Sequence, residues 1–391
     1  MYDLLVILLS ALLFPPATPP DWSELAQRQI GYTELQTNLP GGRHENVRTM
    51  RAVITNGDGT GRKLIAEKLI DNPNAWTQFV GWSPDNKQAI VYRAWEDPKN
   101  ARWEEEHKTF RFDPKMWLLD SYLVDLATGK IENMTSIERV SHYNAGLFFL
   151  PGGKGLGFTP LIDGNSKPFV MDLDGRNKRD VSGKSGGFAY GYSASPDGKQ
   201  ISYHDNYQIY VAHADGTNKQ HIATGNPFNF GPRWSPDGKW LLFVSGEHGH
   251  CHPYVVKRDG TGLKKLVDRN RYQGWIAFLD VPDYHNGSSD VPVWSADGKT
   301  VFYTATVGDA VELFQISIEG KTEQFTKSTP GTLHYHPEPS EDGKWLMYGS
   351  KREGVRQLII MRLADHAEKQ ITKLPIGRAA MWAHWQEPSK K

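Results

Sequence analysis

The chain has 391 residues with 45 basic and 45 acidic side chains, and a net charge of zero leaves no electrostatic footprint for nucleic acid or an anionic membrane surface. Its single cysteine, Cys251, excludes an internal disulfide, so the compartment cannot be read from disulfides. With 38 glycines, 24 prolines and 12% aromatics, the composition favours many short strands joined by tight turns over a helical protein.

The first feature in chain order is an apolar run over 4–14, followed by Pro15-Pro-Ala-Thr-Pro-Pro20. The run fits the apolar region of a signal peptide and is too short to span a bilayer. Asp3, the lack of Lys or Arg before the run, and the lack of an Ala-x-Ala site argue the other way. The expectation is a signal peptide over 1–20 and a periplasmic or secreted protein. No other stretch is long enough for a membrane span.

Self-similarity dominates the rest. A Trp-Ser-Pro-Asp motif or a variant appears at Trp82-Ser-Pro-Asp85, Ala194-Ser-Pro-Asp-Gly198, Trp234-Ser-Pro-Asp-Gly238, Trp294-Ser-Ala-Asp-Gly298 and Pro339-Ser-Glu-Asp-Gly343, with a degenerate copy at Phe149-Leu-Pro-Gly-Gly153. An apolar, strand-forming run follows each one, at 89–92, 155–158, 200–203, 240–244, 300–303 and 345–348. A second turn recurs downstream, as at Asp125-Leu-Ala-Thr-Gly129, Asp174-Gly175, Asp215-Gly216, Asp259-Gly260 and Glu319-Gly320, with Asp58-Gly59 near the start. Asp-Gly suits a tight turn because Gly accepts positive φ and Asp closes the turn with its side chain. Four strands and three turns per unit, at a period of roughly 40–60 residues, are the signature of a β-propeller blade.

Complete units lie at 78–135, 142–182, 190–225, 230–268, 290–327 and 335–373. Residues 29–70 supply outer strands, and Met381-Trp-Ala-His-Trp-Gln386 resembles the inner strand they lack. The predicted fold is therefore all-β: a single seven-bladed β-propeller over 21–388, closed by N- and C-terminal segments, with eight blades as the competing count.

In such a fold the loop leading into each blade shares one rim with the loop between its second and third strands. That rim would carry His142, Tyr190, Asn229, Asp290, His334, His336 and Trp382 or His384 on leading segments, and Arg93, the run Glu247-His-Gly-His-Cys-His252, and Arg356 in middle loops. Two insertions extend it. Residues 94–120, with Trp95 and a Trp103-Glu-Glu-Glu-His107 run, are expected to include a short helix, and residues 269–290 carry Trp275. Aromatic rings beside Arg and Asp suit an oligosaccharide, although the same rings can simply pack the loops down.

His334-Tyr-His336 is the sharpest local signal. Residues i and i+2 of a strand share a face, so the two imidazoles could share a divalent metal, Mn, Zn or Ca, with His250 a further candidate and the remaining ligands coming from elsewhere. Surface histidines are the alternative. In the 246–252 run, His248 would meet substrate and His252 would act as base or acid, but the spacing with Cys251 fits no standard zinc site. No Gly-x-Ser-x-Gly elbow, P-loop, dinucleotide fingerprint or His-Glu-x-x-His occurs, so no nucleotide cofactor is expected.

The Trp-Ser-Pro-Asp-Gly-Lys units and the Asp215-Gly-Thr217 and Asp259-Gly-Thr261 turns resemble the TolB-like, or WD40-like PD40, β-propellers over nearly the whole chain after residue 20. The stretch from His334 resembles a second family, the oligogalacturonate lyases, which bind Mn²⁺ through Gln-x-x-His-x-His-Pro-x-x-Ser-x-Asp. His334, His336, Pro337, Ser340 and Asp342 match that motif, but Gly331 stands where the family has Gln. That family's further metal histidine falls where this chain has Asp290-Val291, so the resemblance implies Asp290 as the substitute ligand. The resemblance implies a metal-assisted lyase of uronate-containing oligosaccharides. His252 or His142 would be the base, Arg356 would neutralise the carboxylate, and Arg93, Trp95, His248, Tyr190, Asn229 and Trp275 would contact substrate. The reading from another class is a non-catalytic TolB-like periplasmic binding or scaffold propeller with a protein partner. A glycoside hydrolase lacks an obvious carboxylate pair.

Overall fold

The computed structural model describes residues 21–387 apart from 108–110, 112, 114, 138–145, 184–185, 270–271, 273, 277–280 and 283–291. Its repeated turn is built by local side-chain bonds. In 234–240 the Ser235 hydroxyl donates to Asp237 Oδ1 at 2.6 Å and accepts from the Trp240 N–H at 3.0 Å, while the Lys239 N–H donates to the same Asp237 oxygen at 3.0 Å. Ser83–Asp85, Ser195–Asp197, Ser295–Asp297 and Ser340–Asp342 repeat the Ser-to-Asp bond at 2.6–2.7 Å. At Asp85, Asp197 and Asp297 that serine bond is the main cause of a lowered carboxyl pKa. The second turn works similarly, with Thr217 and Thr261 each donating through N–H and hydroxyl to Asp215 and Asp259 at 2.9 and 2.7 Å.

These turns divide the chain into sets of four antiparallel strands. Four sets are separate sheets, spanning 75–133, 148–180, 189–222 and 228–265. Three more, over 293–324, 333–370 and the two chain ends, are joined at their corners into one twelve-stranded sheet by single parallel pairings, Val311 with Leu333 and Arg356 with Ala379. In the last set Arg378–Trp385 supplies the inner strand and pairs with Gln29–Gln36, which pairs in turn with Arg51–Asn56. The result is an all-β, propeller-like fold.

The core lies between consecutive sets. Val170 and Val181 pack with Ile201 and Tyr203, Ile209 and Val211 with Leu241 and Phe243, Leu242 and Val255 with Val301 and Tyr303, and Phe302 and Leu313 with Leu346 and Tyr348. Met347 and Ile360 then meet Tyr32 and Val53 from the other chain end. Motif tryptophans also bond across these seams: Trp82 Nε1 donates to the His384 carbonyl at 3.2 Å and Trp294 Nε1 to the Arg233 carbonyl at 3.3 Å. Trp385, in the strand from the C-terminal end, does the same to Glu338 at 2.9 Å. The helix expected within 94–120 is present as Pro98–His107 (α2), and it packs on a second short helix, Arg43–Val47 (α1).

Candidate functional site on the rim of leading loops

His334 is buried on the strand Leu333–Pro339. Its Nε2 lies 2.9 Å from Ser328 Oγ and 3.5 Å from Glu312 Oε2, and the Ser328 hydroxyl and amide also reach the Glu312 carboxylate at 3.1 and 2.6 Å. Burial, with the Arg352 charge as a lesser cause, lowers its pKa to about 3. The Glu312 carboxylate should act the other way, but its oxygens are already occupied by the Thr326 and Ser328 donors, so the ring is neutral. A carboxylate behind one ring nitrogen orients a histidine whose other nitrogen ligates or accepts a proton, and His334 Nδ1 is buried without a hydrogen-bond partner.

The expectation that His334 and His336 share a face does not hold. The register shifts between Tyr335 and Glu338, and His336 sits in the left-handed region at φ +49°. This bulge breaks the two-residue alternation. His334 therefore faces Ser328, Glu312 and the Tyr348 ring, whereas His336 stacks towards Trp382 of the next inner strand, with ring centroids 6.2 Å apart. Asp290 and His142 lie outside the described residues, and His250 is exposed at the start of the strand His250–Lys257, opposite Glu247. Among the described residues no three His, Cys, Asp or Glu side chains come together to hold a metal ion. His334 alone fits one arm of such a site, so the described donors do not complete it.

The 246–252 histidines diverge as well. His248 is exposed and sets an edge on Phe228, with ring centroids 5.2 Å apart. Cys251 is buried, and its thiol donates to the Glu247 carbonyl. His252 Nδ1 accepts the Arg269 N–H at 3.3 Å and its Nε2 lies 3.5 Å from Asp268. Burial first, then the Lys265 charge, lowers the His252 pKa and keeps the ring neutral.

Three of the expected substrate contacts do come together. Tyr190 lies 4.8 Å from the Phe188 and His204 rings and 6.2 Å from Phe230, Phe230 lies 4.6 Å from Phe228, and Phe228 carries His248. Asn229 is beneath them, but its polar atoms are used internally. Its Nδ2 donates to the Tyr207 and Asn226 carbonyls at 2.8 and 2.9 Å, and its Oδ1 accepts from Ser245 at 2.6 Å. Tyr207 completes this ring cluster from an Asn206-Tyr207 turn with both residues at positive φ, where glycine usually stands. Elsewhere, Arg93 is buried in an ion pair with Asp71, Trp95 is half-buried opposite Ala75, and Arg356 is buried opposite Lys351. Trp275 lies on a short strand paired with Val281–Pro282.

Sequence reading missed a buried polar network at the root of α2. Arg43 reaches Glu96 at 2.6 Å and Glu104 at 2.9 Å, Asn100 Nδ2 donates to both carboxylates at 2.8 and 3.0 Å, and Arg111 Nε donates to Asn100 Oδ1 at 2.7 Å. Part of the signal was present, as Asn100 and Glu104 at i and i+4 on one helical face, while Glu96 ends the strand before the helix. Their arginine partner, 53 residues before Glu96, carried no such mark.

Residues 118–270 match the TolB beta propeller domain, PD40. A 53-residue stretch is 42% identical to the Tol-Pal system protein TolB of Syntrophus aciditrophicus, covering 14% of this chain and 12% of that protein. A stretch of 174 residues is 28% identical to the uncharacterized peptidase YuxL of Bacillus subtilis, covering 44% of this chain and 22% of that protein. The chain thus spans only a minor part of the curated relatives it matches. Among solved structures, an oligogalacturonate lyase in complex with manganese superposes with a TM-score of 0.55 at 13% identity, over 88% of this chain and 85% of that one. At that identity the likeness is one of fold. Residues 118–270 thus resemble a TolB-like β-propeller domain, and the chain as a whole shares its fold with a solved oligogalacturonate lyase.

Proposed function

We propose that the chain is an exported, seven-bladed propeller closed by its two ends, that it binds an oligosaccharide on the rim of leading loops, and that it cleaves uronate-containing chains by β-elimination. The observation that carries the reading is His334, a neutral imidazole with a carboxylate and a serine behind Nε2 and a buried, unpartnered Nδ1, inside a His-x-His-Pro-x-x-Ser-x-Asp motif. The core clusters shared between consecutive strand sets, and the pairing of the first and last strands, support the ring.

The described donors do not complete a metal set, so the elimination is derived from side chains alone. Arg356 neutralises the uronate carboxylate, which makes the C5 proton more acidic. Neutral His252 accepts that proton, with His142 the other candidate base. The C5–H electron pair forms the C4–C5 double bond as the C4–O bond breaks, and the departing oxygen takes a proton from water while the base returns its own to solvent. A divalent ion bound through His334 or His336 would add electrostatic stabilisation of the carboxylate.

The test is elemental analysis of purified protein and of His336→Ala, together with the ultraviolet absorbance of unsaturated product from oligogalacturonates, with and without added Mn²⁺. New absorbance that is lost in His252→Ala is the expected result. No product under any metal condition would overturn the lyase reading and leave the second one, a non-catalytic TolB-like scaffold. That alternative is favoured by the internal use of Asn229 and Arg93, polar groups spent on the fold.

A further inference from the structure

Among the described residues five inner strands carry a one-residue register shift; the one between Phe79 and Gly81 holds no left-handed residue, and the other four share one form. The register shifts by one residue between Tyr190 and Ser193, Phe230 and Arg233, and Tyr335 and Glu338, and Trp382 falls at a matching shift in the C-terminal strand. The first residue of each bulge is left-handed: Gly191 at φ +61°, Gly231 at +56°, His336 at +49° and Trp382 at +48°. In two strands this position is glycine, and a Cβ on Gly191 would lie 2.5 Å from Gly231 Cα, so the neighbouring strands leave no room there. In the other two strands the position holds an imidazole and an indole. A left-handed side chain costs roughly 1–2 kcal/mol per residue. Glycine meets the same backbone demand elsewhere in this chain, so the two rings are not there for the bulge. Strain kept where a cheaper residue serves points to use.

The rings stack on one another, 6.2 Å apart at 28°, and both are half-buried. Two residues further along the same strands lie Glu338 and His384, with His384 Nδ1 3.6 Å from Glu338 Oε1 and each side chain 33% exposed. The matching residue on a third strand is Arg233. It reaches solvent, yet protein encloses it enough for burial to lower its pKa, with the Glu338 charge acting against that shift. Its place two residues past the bulge, matching Glu338 and His384, puts it at the equivalent position of its own inner strand. Aromatic faces beside a cation and a carboxylate–imidazole pair match a pyranose ring that bears a carboxylate, with an apolar C–H face and a polar edge.

We propose that Trp382 and His336 form a stacking site for a pyranose ring inside the central channel, with Arg233 selecting an acidic sugar and Glu338–His384 binding its hydroxyls. The site deepens the oligosaccharide reading above and rests on it for the sugar class and for the closed ring.

The test is calorimetric titration of the full chain with trigalacturonate and with neutral β-1,4-galactotriose, alongside thermal unfolding. Trp382→Gly should lower trigalacturonate affinity about tenfold or more and should unfold at a higher midpoint than Trp382→Ala, because both lose the ring's packing on the core but only glycine relieves the left-handed strain. Trp382→Phe, which keeps a ring, should stay within about threefold of wild type. Arg233→Gln should erase the preference for the acidic sugar. Unchanged affinity in Trp382→Gly, or wild-type protein that binds neither sugar, would overturn the site. A Trp382→Gly midpoint no higher than that of Trp382→Ala would overturn the strain argument on which it stands. Product formation from oligogalacturonates with Trp382→Gly affinity unchanged would leave the lyase and remove this site. Equal binding of the neutral sugar, lost in Trp382→Gly, would leave the site and remove the uronate preference.

Discussion

Asn229 shows how a residue at a functional address can be spent on architecture. Its amide holds the Tyr207 carbonyl, and so the left-handed Asn206-Tyr207 turn, while its oxygen takes the Ser245 hydroxyl. Asn229→Ala should cost about 1–3 kcal/mol, because it leaves buried carbonyls without donors. Asn229→Asp should cost more, since a carboxylate would then face those same carbonyls. Urea unfolding of the two variants checks the order, and equal midpoints would contradict it. Sequence singled out Asn229 and Tyr190 on leading segments but could not show what their polar atoms touch. His336 marks the same limit more sharply. The two-residue alternation was legible, but the bulge that cancels it arises from pairing with a strand several residues away.

At the scale of the element, α2 is fastened by one arginine serving two buried carboxylates. Burial raises the Glu104 pKa to about 7, the Arg43 charge opposes the rise and the Glu96 carboxylate adds to it. Arg111 donates its backbone N–H to Glu104, Asn100 bridges both acids, and Glu105 accepts the Arg43 N–H. A carboxyl whose folded pKa is raised stabilises fully below its unfolded value, near 4.5, and loses that contribution as pH climbs to about 7. The span is on the order of 2–3 kcal/mol. Hydrogen exchange over Pro98–His107 should therefore speed up between pH 5 and pH 8 beyond the intrinsic rate change, and Glu104→Gln should flatten the response. A wild-type profile as flat as the variant's would refute the raised Glu104 pKa. The seam tryptophans act at this scale too. Trp82→Phe removes the indole bond to the His384 carbonyl and should cost about 0.5–1.5 kcal/mol in unfolding free energy.

At the scale of the whole molecule, the repeat was legible because its turns are self-contained. Ser235, Asp237 and Gly238 close their turn with bonds inside one short window, so the sequence that writes the turn also carries its energetics. The pairing of both chain ends into one strand set was legible for a related reason: the motif strand missing at the start reappears at 381–386. Contacts assembled from distant segments, such as Arg43 with Glu96 and Glu104, leave no such local trace.

The joined ends also yield the most demanding test of the architecture. Gln386 N–H donates to the Gln29 carbonyl at 2.9 Å, and Ile30 lies opposite Trp385, so the first and last strands meet side by side at one edge. If the fold is a ring, where the chain opens is incidental, provided every inner strand remains. A circular permutant that links 387 to 21 through a flexible Gly-rich linker, which keeps the buried Leu25 and the Arg28–Asp342 ion pair, and that is opened at the exposed Gly129-Lys130 turn should fold with an unfolding midpoint close to wild type. Deleting 378–391 instead removes the inner strand that pairs with Gln29–Gln36, together with Trp385's bond to Glu338 and the carbonyl that Trp82 uses. It strips one face from the Tyr32 and Met347 cluster and leaves an unpaired strand edge, an invitation to aggregate. The truncated chain should therefore lose cooperative unfolding or become insoluble. A permutant that fails while the truncation folds would mean that the terminal strand decorates the molecule and that the ring is closed elsewhere.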